Sequence, residues 1–244
     1  MNEIMKAPFL QEVAKTASNM YRLGWDERNG KLNKLAIACN MSNYGGQRTG
    51  KVKYIVVHYT AGNGDTAEDN GRYFEANHVG ASAHWFVDER NAVLSVPEDC
   101  VAWHCGGSVY FHPSCRNSNS IGVELCSIKN ADGEYGFRRE TLENAAALVR
   151  ELMERYHVTI ENVLRHYDVT GKKCPAPLTD AGQWEEFKQM IVRYKSVEEL
   201  PVWAQETVKK LVDRQILQGD GQGLDLSRDM VRMLVFLDRA GIFG

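Results

Sequence analysis

The order of apolar and polar residues predicts a sheet built from short buried strands. Lys53 to Thr60, KYIVVHYT, is a continuous apolar run, which is typical of a strand buried on both faces. Ser120 to Cys126, SIGVELC, has the same character, and Ser82 to Glu98 predicts a hairpin that turns around Asp88 to Asn91. Together these segments indicate a mixed sheet.

Apolar residues at helical spacing predict helices on this sheet. Between Arg139 and Tyr156 they recur with a period near 3.6 residues, which is typical of an amphipathic helix that packs on a sheet. The positions are Leu142, Ala145, Val149, Leu152, Met153 and Tyr156. We therefore expect an α/β fold in which helices flank a mixed central sheet.

Changes in residue pattern divide the chain into three parts. Residues 1–30 predict a helical N-terminal extension, residues 31–196 the main α/β domain, and residues 197–244 a small helical C-terminal unit. In that unit we expect two amphipathic helices, with apolar faces formed by Trp203, Val208, Leu211 and Val212, and by Met230, Met233, Leu234 and Leu237. Because so short a unit buries little surface alone, we expect it to pack on the main domain or on another copy, which would create a homo-oligomer.

The composition is that of an ordinary globular protein and excludes several partners. A formal net charge of -3 and a pI near 6.2 give no overall basic footprint, so nucleic acid is not an expected partner. The chain has no apolar run of transmembrane length and no signal-peptide core, so we expect synthesis in the cytoplasm without membrane insertion. The six cysteines are then expected as reduced thiols or metal ligands rather than disulfides.

Two histidines and one cysteine form a candidate metal site. His58 lies at the end of the first buried strand, and His166 and Cys174 lie eight residues apart in the polar stretch RHYDVTGKKCPAP. Two imidazoles and a thiolate bind Zn2+ and leave a fourth tetrahedral position open for water, as in catalytic sites. A hydrogen-bonded core histidine and a small buried cysteine are the structural alternatives, and spacing alone does not decide between them.

Five motifs carry a resemblance to a known family. VVHYTAGNGDTA, ASAHWFVDE, VAWHCG, NSNSIGVELC and RHYDVTGKKCPAP occur in this order between Leu32 and Tyr194. They resemble the N-acetylmuramoyl-L-alanine amidase type 2 family, which includes phage endolysins and peptidoglycan-recognition proteins. The resemblance implies hydrolysis of the amide between N-acetylmuramic acid and L-alanine in bacterial peptidoglycan, with Zn2+ bound by His58, His166 and Cys174.

The resemblance also implies two catalytic residues. Glu124, in SIGVELC, matches a glutamate that acts as general base, and Lys172 matches a lysine that stabilises the transition state. An acidic side chain in an apolar strand needs either a polar cleft or an ion-pair partner, and we favour the cleft. Lys172 lies beside Lys173 in a loop, where a solvated lysine is the alternative.

The second and third motifs supply candidate substrate-binding residues. Trp103, His104 and His84 are expected to line the substrate groove, although a structural imidazole is the alternative for His104. Phage-type and recognition-type relatives often have a tyrosine before the histidine of the second motif, where this chain has Ala83. More of the catalytic work is therefore expected from Glu124.

The two ends of the chain resemble other families. The C-terminal unit is similar to a single S-layer-homology wall-binding unit, although its second helix starts with Leu226-Ser227-Arg228 in place of the usual motif. Capping of the main domain is the alternative role. FLQEVAKTASNMYRLGWDERNG, near the N-terminus, resembles the beginning of rhamnulose-1-phosphate aldolase, and the likeness does not continue after Gly30, as a fusion would explain. The stretch carries none of that enzyme's metal ligands, so we expect no chemistry from it.

Three functional classes follow from these residues. We favour a zinc amidase, an endolysin or autolysin that acts on the cell wall after release from the cell. A non-catalytic peptidoglycan-binding module is the first alternative. The second is a Cys-His peptidase with Cys105 or Cys126 as nucleophile, which would need a thiolate activated by a base.

Overall fold

The computed structural model describes residues 32–244 except residues 220 and 222. The helix expected in residues 1–30, and the aldolase-like stretch within it, lie outside the described residues. Among the described residues, no helix is both long and apolar enough to cross a membrane.

Ten strands and six helices form the regular structure of the described residues. The strands are β1 Asn33–Ala36, β2 Tyr44–Gln47, β3 Tyr54–Tyr59, β4 Trp85–Val87, β5 Asn91–Leu94, β6 Cys100–Ala102, β7 Ser120–Leu125, β8 Ile128–Lys129, β9 Tyr135–Gly136 and β10 Val163–Arg165. The helices are α1 Ala67–Ala76, α2 Arg139–Tyr156, α3 His166–Thr170, α4 Ala181–Ile191, α5 Val202–Asp213 and α6 Arg228–Arg239.

A six-stranded mixed sheet forms the centre, in the order β1-β5-β4-β7-β3-β10. Strand β7 pairs in parallel with both β3 and β4, β3 pairs in parallel with β10, and β4 pairs antiparallel with β5. Both expected central strands, β3 and β7, are almost entirely buried. Helices α1 and α2 pack on this sheet, so the expected mixed α/β fold is confirmed.

The expected hairpin is present, and Asp88 organises its turn. The Asp88 carboxylate accepts hydrogen bonds from the backbone N–H groups of Arg90 and Asn91 at 2.6 and 2.7 Å. Its second oxygen accepts from the N–H of Ala67, the first residue of α1, at 2.7 Å. One buried carboxylate therefore closes the β4–β5 turn and satisfies a free N–H group at the start of a helix.

The C-terminal unit has a compact apolar core. Its buried residues are Tyr194, Leu200, Ala204, Val208, Leu211, Leu226, Val231, Leu234 and Val235. Tyr194, just after α4, exchanges two backbone hydrogen bonds with Leu226, of 2.9 and 3.0 Å. This β-bridge attaches the unit to the end of the main domain.

Two residues assigned to the buried faces of this unit lie on its surface instead. Trp203 is 45% exposed and Met233 is 49% exposed. In α6 the buried residues include Val231 and Val235, so the face that packs inward is rotated about the helix axis from the expected face. The inner face of α6 is set by tertiary packing, because Val231 and Val235 join the core that Leu226 and α5 form.

Candidate active site

The candidate site forms where three parallel strands end. His58 lies near the end of β3 and pairs in register with Glu124 of β7. His166 begins α3 directly after β10, the neighbour of β3 on its other side. Residues far apart in sequence therefore meet at one edge of the sheet, where α/β folds commonly place functional side chains.

The structure brings the three expected zinc ligands together. Nitrogen and sulfur atoms of His58, His166 and Cys174 lie within 4.8 Å of one another, and all three side chains are buried. The ring centroids of His58 and His166 are 4.8 Å apart, and Cys174 Sγ lies 3.6 Å from His58 Nδ1. The short helix α3 permits this, because the Tyr167 N–H donates to the Cys174 carbonyl at 2.8 Å and folds the loop back.

The chemistry of these donors fits a zinc ion. His166 Nε2 donates to the Gly106 carbonyl at 3.1 Å, so its Nδ1 is the ring nitrogen with the lone pair. That Nδ1 is buried and has no hydrogen-bond partner in the part of the chain that the structure describes. Buried polar atoms are nearly always paired, so an unpaired nitrogen beside a second imidazole and a thiol indicates a site for a metal.

Burial holds both histidines in the neutral form that a metal requires. Desolvation, and then the charge of Lys172, lowers the pKa of His166 to about 4. Desolvation, and then the neighbouring histidines, lowers the pKa of His58 well below its ordinary value. Desolvation, and then the charge of Glu124, raises the pKa of the Cys174 thiol to about 12. Binding of a metal to Cys174 must therefore displace a proton.

Glu124 has a free carboxylate oxygen at the edge of this cluster. Its Oε2 atom is buried and has no hydrogen-bond partner among the described residues. Burial raises the pKa of Glu124 to about 8; the charge of Lys172 opposes the rise and that of Asp65 adds to it. A carboxyl group with a pKa near neutrality and an unused oxygen can both accept and return a proton.

Lys172 lies on the exposed loop between α3 and Cys174. Its charge lowers the pKa of Glu124, His58 and His166, so the ammonium group acts electrostatically on the whole cluster.

The three expected groove residues occupy two different environments. Trp103 is 38% exposed. His84 is fully buried: its Nδ1 accepts from the Gly122 N–H at 2.9 Å, and its Nε2 lies 3.1 Å from Arg48 Nη2. His104 is 7% exposed and lies behind His58. Protein atoms surround both rings, and their expected place in a substrate groove stays a prediction.

Residues that were not singled out in the sequence support the site. Arg48 donates to the carbonyls of Cys100 and Ser120 at 2.9 and 3.1 Å, next to His84. Gly122 leaves space for the His104 ring, since a Cβ there would lie 2.6 Å from that ring. A glycine inside an apolar strand often marks a close approach of this kind, and this signal was available in SIGVELC.

The other candidate nucleophiles are buried thiols. All six cysteines are free, and Cys105 and Cys126 are buried. Desolvation raises the pKa of both thiols far above its ordinary value. A protonated, inaccessible thiol is a poor nucleophile, so the geometry favours the metal site over the peptidase alternative.

Comparison with known proteins identifies the family of the domain that contains this site. Residues 48–177, which contain all the candidate site residues, match the family model described as N-acetylmuramoyl-L-alanine amidase. The chain belongs to this family. Among relatives of this amidase domain, N-acetylmuramoyl-L-alanine amidase CwlL of Bacillus licheniformis is 37% identical over 171 residues, which cover 66% of this chain and 46% of CwlL. BlyA, an N-acetylmuramoyl-L-alanine amidase of Bacillus subtilis strain 168, is 36% identical over 154 residues, which cover 57% of this chain and 41% of BlyA.

Solved structures align with about two thirds of this chain. A mutant endolysin from Bacillus subtilis aligns with a TM-score of 0.55 and 30% identity, covering 66% of this chain and 100% of the endolysin chain. The catalytic domain of XlyA aligns with a TM-score of 0.53 and 30% identity, with the same coverage. By contrast, the chain spans less than half the length of the curated relatives CwlL and BlyA.

Proposed function

We propose that this protein is a zinc-dependent peptidoglycan amidase that hydrolyses the amide between N-acetylmuramic acid and L-alanine. The observation that supports this most directly is the buried cluster of His58, His166 and Cys174 beside the unpaired Oε2 of Glu124. Membership of the amidase family supports the bond class. In this proposal the two imidazoles and the thiolate hold Zn2+.

A bound zinc ion would supply Lewis-acid chemistry and lower the pKa of a water molecule toward neutrality. The protein's own residues then have separate tasks. Glu124 Oε2 accepts the proton of the attacking water and passes it to the nitrogen of the leaving L-alanine. In the metal-free protein, burial already raises the pKa of Glu124 to about 8, so its carboxyl group lies in an environment that favours proton uptake.

Two exposed residues complete the proposed reaction site. The Lys172 ammonium group would stabilise the negative charge that develops on the carbonyl oxygen in the transition state. Trp103, with 38% of its surface exposed, would pack against the glycopeptide substrate. Neither residue has to be buried for its task, which is consistent with where each lies.

We further propose that the C-terminal unit, residues 197–244, binds the cell wall. Apolar side chains on α5 and α6 remain on its surface: Val202 is 85% exposed, Trp203 45% and Phe236 67%. An anchor of this kind raises the local concentration of the enzyme at its polymeric substrate. In this proposal the protein acts as an endolysin or autolysin after its release from the cell. Self-association through this unit is the alternative use of the same surface.

Digestion of purified peptidoglycan with and without a chelator tests the proposed activity. We expect new L-alanine amino termini, no new reducing sugars and loss of cleavage with the chelator, with one zinc per chain by elemental analysis. New reducing sugars would contradict the bond class. Binding to the wall without any cleavage would indicate a non-catalytic module. Cleavage that survives the chelator but not alkylation would indicate a thiol peptidase. Alkylation of Cys174 would also inactivate a zinc enzyme, and in that case the alkylated protein would fail to bind zinc when zinc is added back.

A further inference from the structure

The buried ring of His104 lies directly behind the candidate metal ligand His58. His104 Nδ1 is 3.0 Å from His58 Nε2, whereas the other nitrogen of His58, Nδ1, faces Cys174 Sγ at 3.6 Å. A neutral imidazole carries one N–H, so the partner of Nε2 decides whether Nδ1 has a free lone pair. We propose that His104 is a positioning residue that accepts the Nε2 proton of His58 and so keeps Nδ1 ready to bind Zn2+.

A backbone carbonyl sets the direction of these hydrogen bonds. Ser120 Oγ donates its single proton to the Arg116 carbonyl at 2.7 Å, so it must accept from His104 Nε2, which lies 3.2 Å away. With its proton on Nε2, the neutral His104 ring has a bare Nδ1, which lies 3.0 Å from His58 Nε2 and 3.1 Å from Cys105 Sγ. The Cys105 thiol can donate to Ser120 Oγ at 3.5 Å instead, which leaves the Nδ1 lone pair to accept from His58 Nε2. The tautomer of His58 is therefore determined by a carbonyl three hydrogen bonds away.

The surrounding structure is built to hold the His104 ring in place. The Asn117 side-chain oxygen accepts from the backbone N–H groups of His104 and Cys105 at 3.1 and 2.7 Å, which fixes the chain on either side. Gly122 of β7 provides the space that the ring fills. Partners of this kind, outside the ligands themselves, orient metal-binding histidines and are worth about 10–100-fold in metal affinity.

Binding of an ion by His58 and His104 together would exclude this role. Donor atoms of His58, His104 and Cys105 also lie within 4.8 Å of one another, which is close enough for a second ion. However, His58 Nε2 cannot donate a proton to His104 and bind an ion at the same time. The number of zinc ions per chain at saturation therefore separates the two arrangements: we expect one.

Zinc affinity of the full chain, measured by competition with a chromophoric chelator, tests the inference. His104→Leu removes the acceptor, and we expect it to weaken zinc binding by about 10–100-fold. His104→Asn places an amide oxygen close to the position of Nδ1, and we expect affinity within about threefold of wild type. His78→Asn, at an exposed histidine, is the matched control and should bind zinc as wild type does. Circular dichroism of each metal-free variant checks that it is folded.

Nitrogen-15 NMR of the histidine rings gives a direct second readout, and it keeps the test valid if His104→Leu does not fold. In the metal-free wild type we expect His58 to carry its proton on Nε2 and to have a bare Nδ1. A proton on Nδ1, two zinc ions per chain, or unchanged affinity in a folded His104→Leu variant would each overturn the inference. Equal losses in the Leu and Asn variants would do so as well.

This inference rests on the proposed zinc site, but it can fail separately from the proposed activity. Normal zinc affinity without wall hydrolysis in the wild type would count only against the amidase proposal. Equal zinc affinity of wild type and His104→Leu, with hydrolysis intact, would count only against the positioning role.

Discussion

His58 and Glu124 are register partners on the adjacent parallel strands β3 and β7. Side chains of directly paired residues leave the same face of a sheet, so the proposed metal ligand and a carboxyl group emerge side by side at its carboxyl edge. The pairing is held by the backbone ladder and does not depend on loop conformation. The spacing between the proposed metal and the proposed base is therefore a property of the sheet.

The first prediction concerns the proposed base. Glu124→Gln removes the proton-accepting oxygen but keeps the size of the side chain, so folding and zinc content should be unchanged. We expect the rate of wall hydrolysis to fall by about 10²–10⁴-fold, the usual contribution of general acid–base catalysis. Turbidity loss of purified walls measures the rate, and elemental analysis measures zinc. Near-wild-type hydrolysis would remove Glu124 from the mechanism.

The second prediction is a pH dependence of stability in the metal-free protein. The pKa of Glu124 is raised from 4.5 to about 8 in the folded state, so between these values the folded protein keeps a proton that the unfolded chain has lost. The contribution of this group to stability therefore falls as pH rises through this window, by up to about 1.4 kcal/mol per pH unit. Chemical denaturation of wild type and Glu124→Gln across this range should show the difference. Parallel pH profiles for the two proteins would contradict it.

The third prediction concerns stabilisation by the metal. The proposed zinc site exists only in the folded protein, so adding zinc to the metal-free protein should raise the melting temperature by an amount that grows with the logarithm of zinc concentration divided by its Kd. Cys174→Ala removes the thiolate and should abolish most of this rise, while Cys39→Ala, at another buried thiol, should keep it. Differential scanning calorimetry with and without zinc measures the effect. An equal rise in both variants would show that zinc binds elsewhere.

The fourth prediction tests the space reserved for His104. Gly122→Ala would place a Cβ 2.6 Å from the His104 ring, so the ring must move and we expect weaker zinc binding together with lower stability. Gly46→Ala is the matched control, because no atom lies within 4 Å of the Cβ that it would add. Chelator competition and thermal unfolding of both variants measure the two effects. If Gly122→Ala matched the control in zinc affinity and stability, the His104 ring would not depend on the space that Gly122 leaves.

The fifth prediction separates wall binding from catalysis. Trp203→Ser combined with Phe236→Ser removes exposed apolar surface from the C-terminal unit without changing its core. We expect weaker binding to whole walls but unchanged turnover of a small soluble muropeptide. Met41→Ser, at a residue that is 80% exposed and outside this unit, is the control. Equal losses on both substrates would favour a purely structural role for the unit.

The sequence predicted the metal cluster more completely than its surroundings. His58, His166 and Cys174 could be assigned because the motifs around them are specific, and the structure brings them together. Gly122 in SIGVELC signalled a close approach, but the sequence did not show that the His104 ring fills this space or that Arg48 reaches His84 from a distant segment. A histidine in a strand or loop looks the same in sequence whether it faces a groove or the core.

The helix faces of the C-terminal unit show a second limit. Trp203 and Met233 were placed inward from their spacing, yet both lie on the surface. Packing against the partner helix and Leu226 decides which face of each helix is buried. The periodicity of a short helix does not contain this information.

The β-bridge between Tyr194 and Leu226 leaves almost no tether between α4 and the C-terminal unit. A catalytic domain joined to its wall-binding unit by a long flexible linker could cleave bonds anywhere within a broad radius of the bound unit. If the C-terminal unit binds the wall, the bonds that the active site can reach would lie at a nearly constant distance from the bound position. Each binding event would then allow cleavage at few positions, and further cleavage would require release and rebinding.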